Sequence, residues 1–94
     1  MAQANLKGAD LTGANLRSVD LRLANLQDAC LKEADLRETY LYKADLRSAN
    51  LTRANLYQVN LLRASLEGVQ LRHANLNEAL IRKQFVVDSL DDYN

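Results

Sequence analysis

His73 and Cys30 are the only histidine and the only cysteine among the 94 residues, and chemistry would first be sought at them. An imidazole could serve as a general base or a metal ligand, and a thiolate as a nucleophile. Neither residue has the company such work requires. No second histidine or cysteine stands in ligand register with His73, which falls at a variable polar place in the chain's pattern and reads as an exposed corner residue. Cys30 has Lys32 nearby, the kind of basic neighbour that lowers a thiol pKa, but an ordinary free thiol is the favoured reading of the same residues. Ser18, Ser48, Ser65 and Ser89 have no histidine partner in register, and the acidic residues are scattered singly, without two in an enclosed place. No glycine-rich phosphate loop occurs. The sequence therefore predicts a protein that is not an enzyme, with no cofactor and no metal.

The elements that would position any working group follow an unusual period. Leucine stands at every fifth position from Leu6 to Leu76, and Ile81 continues the series to sixteen. A helix would scatter a five-residue step around its axis, and a strand would send successive leucines to opposite faces. Two residues before each leucine is a small side chain, alanine in twelve units, valine at Val19, Val59 and Val69, and threonine at Thr39. Asn or Asp lies between them in eleven units; the exceptions are Cys30, Tyr40, Ser65, Gln70 and Leu80. The chain from Ala4 to Lys83 is thus one motif, A-(N/D)-L-x-x, repeated without a gap.

The period makes sense if the chain bends after every unit. Small, polar and leucine then read in, out, in along a short extended stretch, and the two variable residues make a corner. With corners of about 90°, four units close a square coil of twenty residues that stacks on the next at about 4.8 Å, giving a rod roughly 19 Å long. Val19, Thr39 and Val59 lie twenty apart and would stack on one face. All three glycines, Gly8, Gly13 and Gly68, fall at the last place of their units, where a corner belongs. The interior so built is filled by leucine and alanine, with no substrate cavity.

This motif, over residues 4–83, resembles the pentapeptide-repeat family. The resemblance implies an all-β fold, a right-handed quadrilateral β-helix (a β-solenoid) of about four coils, with the leucine and the small residue facing inward. It implies little about function, because a fold does not fix one.

Composition sets further bounds. The length suits one domain, residues 1–83 being the repeat and 84–94 a tail. Twelve basic residues balance twelve acidic ones, so nothing favours nucleic acid or an anionic membrane overall. No apolar run approaches a membrane span or a signal peptide. One cysteine cannot form an internal disulfide, which fits a reducing compartment, and a cytoplasmic location is expected.

With chemistry set aside, what remains is surface, and the four faces of the square differ. The face built from 19–23, 39–43, 59–63 and 79–83 carries Arg22, Lys43, Arg63, Arg82 and Lys83 against Asp20 alone, a net of +4. The other three lie between −1 and +1. The basic face also gathers the outward apolar residues Leu23, Tyr40, Tyr42, Leu62 and Leu80, with Tyr57 on the corner leading into it. Aromatic anchors among arginines are the composition of a protein-binding patch. The alternative is that the tyrosines merely pack across coils, with the basic residues solvating them. The candidate partner-binding residues are therefore Tyr40, Tyr42, Leu62, Arg63, Lys43, Tyr57, Arg22 and Leu23.

Three functions can be weighed. The first is a protein-interaction module or scaffold, its protein partner unknown. The second comes from the resemblance: some members of the family mimic duplex DNA and bind type II topoisomerases. Those members are acidic and longer, whereas a 19 Å stretch of duplex carries on the order of eleven negative charges and this neutral chain offsets all its acids. The third is nucleic-acid binding through the basic face, which no recognition motif accompanies. The first is favoured.

The ends carry their own expectations. The repeat fails at about Lys83, and Phe85, Val86, Leu90 and Tyr93 recur at helical spacing, predicting a short helical cap on the last coil. Met1 already falls at a leucine position, so no covering segment is expected before the first coil. An open coil end recruits other chains, so a homodimer through the N-terminal coil is expected, unless a natural covering segment precedes it.

Overall fold

The computed structural model describes residues 3–82. Among them there is no helix. The chain is held instead by isolated parallel bridges between residues twenty apart, from Asn5 with Asn25 to Asn60 with Leu80, eleven in all. We call the stacked stretches tiers 1 to 4 (residues 4–23, 24–43, 44–63 and 64–82) and number the four faces in chain order. The expected basic face is the fourth. The helical cap, placed by sequence on 84–94, lies outside the described residues, as does Lys83.

One hydrogen-bond scheme recurs through the stack. The middle residue of a unit donates its N–H to the small residue one tier below and accepts from that tier's leucine, as when Asn25 bonds Ala4 C=O at 2.9 Å and Leu6 N–H bonds Asn25 C=O at 2.7 Å. Each leucine carbonyl then accepts from the small residue three places on, for example Ala9 N–H at 3.0 Å, closing a β-turn at the corner. That turn places its last variable residue at positive φ, the geometry of a type II turn. Fifteen of the sixteen corners from Gln3 to Glu78 adopt it, twelve of them without glycine.

The Asn/Asp column has a local purpose. In all eleven units that carry Asn or Asp, its Oδ1 accepts the N–H two residues on, the first residue of the corner. This is an Asx turn, which fixes the bend that a five-residue period demands. Bonding along the column is seen at Asn75 Nδ2, which donates to Asn55 Oδ1 at 3.2 Å.

Leucine and alanine form the interior. Leu21, Leu26, Leu31, Leu51, Leu56, Leu61, Leu66 and Leu71 are wholly shielded, as are Ala34, Ala44, Ala49 and Ala54. Thr39, the one polar residue at a small position, is buried and satisfies its hydroxyl on Leu16 C=O at 3.0 Å. At the lower end Leu6 and Leu11 are only half-buried, while Leu16 is already buried.

Candidate functional site

Among the described residues, five of the six exposed large apolar ones, Leu23, Tyr40, Tyr42, Leu62 and Leu80, lie on the fourth face. Their exposure follows from the repeat itself: each stands at an outward or corner place of its unit, while Val19, Thr39 and Val59 fill the interior places behind them. Tyr40 is the most open, at 60%.

The ladder on this face is interrupted. Between tiers 1 and 2, Leu21 N–H bonds Tyr40 C=O at 2.8 Å and Leu23 N–H bonds Tyr42 C=O at 2.9 Å; between tiers 3 and 4, Leu61 N–H bonds Leu80 C=O at 2.7 Å. Between tiers 2 and 3, Leu41 and Lys43 N–H have no such partner among the described residues, nor has Asn60 N–H on Thr39 C=O. Tyr40 and Asn60 are the one pair missing from an otherwise unbroken series of bridges. Arg63 is also the one corner whose φ is not positive. Leaving the left-handed region turns the Leu62–Arg63 peptide, which carries the Leu62 carbonyl away from the Lys43 N–H it would otherwise meet.

A cleft of about 140 Å³ opens here, lined by Arg22, Thr39, Tyr40, Leu41, Tyr42, Asn60 and Arg63. Lys43, Leu62 and Arg63 border an adjoining hollow with Ser65, Glu67 and Arg82. Four of the eight residues singled out from sequence therefore share the cleft, and Arg63 joins it to Lys43 and Leu62. Lys43 Nζ stands 5.6 Å from the centre of the Tyr42 ring, within cation–π reach. Two residues stay outside both hollows. Leu23 occupies a lower corner, and the Tyr57 hydroxyl turns to Glu78 at 3.3 Å. Sequence reasoning missed Thr39, Leu41 and Asn60, because an open ladder has no residue signature.

The charges on the face are unequal in kind. Arg22 grips Asp20 through Nε at 2.8 Å and Nη2 at 2.7 Å. Arg37 with Asp35 and Arg47 with Asp45 repeat this fork, so each Asp-Leu-Arg triplet neutralises itself. Arg63 has no ion pair among the described residues. The forks hold the Asp20 carboxyl well below the usual range and pull Asp35 and Asp45 from 3.8 down to about 2, the arginine hydrogen bond being the largest cause each time.

A depressed folded-state pKa contributes stability above the unfolded value, which is lost as pH falls through the folded one. The melting temperature should therefore decline between about pH 4 and pH 2. Asp45→Asn should decline less, and added salt should shrink the difference, because these pairs face solvent. Identical acid profiles for Asp45→Asn and the parent protein would contradict the assignment.

Elsewhere the chemical groups are modest. Cys30 takes the turn-capping place that Asn or Asp holds in other units. Its pKa is lowered, first by the Thr12 hydroxyl, 3.1 Å from Sγ, and then by the Lys32 backbone N–H. His73 is an exposed corner residue. Among the described residues no group of three or more His, Cys, Asp or Glu gathers as a metal site would require, and no helix is long and apolar enough to cross a membrane.

A family model described as pentapeptide repeats, in eight copies, matches residues 1–38 and 39–77. A pentapeptide repeat protein from Nostoc PCC 7120 is similar in structure, with TM-score 0.62 and 29% identity over 94% of this chain and 78% of that one. Another, from the Arabidopsis thaliana thylakoid lumen, has TM-score 0.56 and 26% identity over 97% and 77%. HetL of Nostoc, a pentapeptide repeat protein involved in heterocyst differentiation regulation, shares 37% identity over 83% of this chain but only 36% of its own, with TM-score 0.41. No curated protein matches the chain significantly.

Proposed function

Because the chain belongs to the pentapeptide-repeat family, we propose that it works without catalysis, as a protein-interaction module or scaffold that presents its fourth face to a protein partner. The scaffold in this reading is a right-handed quadrilateral β-helix of about four coils, with the bridges between residues twenty apart as support. One observation carries the functional reading: among the described residues, most of the exposed large apolar side chains gather on the fourth face, at the one bridge missing from the series, beside Arg63, which has no ion pair there. Apolar anchors within a polar rim are what binding surfaces use.

The self-neutralised Asp-Leu-Arg forks weigh against the mimicry of DNA, since three of the acids are already paired within their own units.

Once a partner is in hand, Tyr42→Ala and Arg63→Ala should each weaken its binding about fivefold or more while leaving the melting temperature nearly unchanged. Thr12→Ala and Thr52→Ala, on the opposite second face, should bind as the parent does. A partner that responds only to the threonine changes would end this reading.

A further inference from the structure

The cleft between tiers 2 and 3 offers hydrogen-bond donors left unused among the described residues, and the same missing bonds leave the Thr39, Asn60 and Leu62 carbonyls without their ladder partners. Leu41 N–H and Asn60 N–H lack backbone partners among the described residues. The Asn60 side chain spends Oδ1 on Leu62 N–H at 3.0 Å, which leaves its NH₂ group available. Arg63 brings a guanidinium with no ion pair among the described residues, whereas Arg22 on the other side is already held by Asp20. The Thr39 hydroxyl is turned inward to Leu16. Among the described residues no carboxylate lines the cleft. Among the described residues, the adjoining hollow is lined by a single acid, Glu67, together with Lys43, Arg63 and Arg82.

Size narrows the guest. The volume of about 140 Å³ would hold four or five waters at roughly 30 Å³ each. By itself it is well short of the roughly 300–1,000 Å³ of small-molecule sites, while the hollow that Arg63 joins to it measures about 300 Å³. One side chain fits. Tyr40 and Tyr42 line the cleft and supply apolar ring surface for an aliphatic stem, and Arg63, Asn60 and Leu41 line it with donors for an acceptor at its tip. We propose that the cleft anchors a glutamate or aspartate side chain of an acidic peptide segment on the partner, its carboxylate held by Arg63, Asn60 and the opened backbone at Leu41. This rests on the reading of the fourth face as the interaction surface and supplies the class of partner it takes.

The probe is a short acetylated peptide alternating glutamate with valine, titrated into the labelled full-length protein and followed by amide NMR shifts. A glutamine-for-glutamate peptide is the neutral control. The acidic peptide should move the resonances of Leu41, Tyr42, Asn60 and Arg63. Arg63→Gln should weaken it by about tenfold or more, the worth of a hydrogen bond to a charged group, while Thr52→Ala leaves it unchanged. Arg63 is exposed, and an unaltered spectrum away from the fourth face will show that its variant is folded. Equal binding of the two peptides, full affinity in Arg63→Gln, or no shift at the cleft would each overturn the anchor site. Should the natural partner still depend on Tyr42 in that event, the face remains the interaction surface and only its acidic specificity is lost.

Discussion

Leu46→Ala is expected to destabilise the protein by about 2–5 kcal/mol, as truncations of buried leucine do. Leu46 lies in tier 3, is 1% exposed and donates its backbone N–H to Ser65 C=O at 2.8 Å. Tiers lie above and below it, so the space left by the side chain cannot be reached by solvent and cannot close without moving both ladders. The loss should appear in a urea melt as a lower midpoint with an unchanged slope. Arg72→Ala, at an exposed corner of tier 4, should move the midpoint by less than about 0.5 kcal/mol. Equal sensitivity at the two positions would show that leucine does not form the interior column.

The converse change, Ala44→Leu, should cost about 1–3 kcal/mol by overpacking. Ala44 is wholly shielded, its carbonyl accepts from Ser65 N–H at 2.9 Å, and Asp45 N–H bonds Ala24 C=O at 2.9 Å. Alanine sits above and below it at Ala64 and Ala24, so the extra carbons have only backbone and leucine to displace. A neutral result in the same melt would mean that the small position tolerates bulk, and that the repeated alanine reflects something other than a narrow interior.

Much of this was legible in the residues because the repeat is a packing rule written in side-chain size. The spacing of Leu6, Leu11 and Leu16 fixes which side chain points inward, and Val19, Thr39 and Val59 at intervals of twenty point to four units per turn. The corners were legible only in part. Gly8, Gly13 and Gly68 mark three of them, but Leu23, Lys43 and Arg53 adopt the same left-handed turn without glycine, each in a turn closed by the next small residue's N–H on the leucine carbonyl. The forks of Asp20, Asp35 and Asp45 could have been read from the recurring Asp-Leu-Arg triplet, which places both charges on one outward edge.

The fourth face was readable as composition but not as shape. Tyr40 and Tyr42 stand out against the Asn/Asp background, whereas the open ladder beside them depends on backbone geometry at Arg63, a residue whose type gives no warning.

The missing Tyr40–Asn60 bridge is what sets the fourth face apart from the other three among the described residues, and amide hydrogen exchange reads it directly. Leu21, Leu41 and Leu61 occupy the same place in three successive tiers. Leu21 and Leu61 donate to the tier above at 2.8 and 2.7 Å, and Leu41 does not. Their side chains are alike in burial, at 0%, 2% and 0% exposure, so a difference in exchange would report the backbone bond. The amides of Leu41 and Lys43 should exchange distinctly faster than those of Leu21, Leu23 and Leu61. Equal protection at all five would show a continuous ladder with no cleft, and would contradict the account of the site.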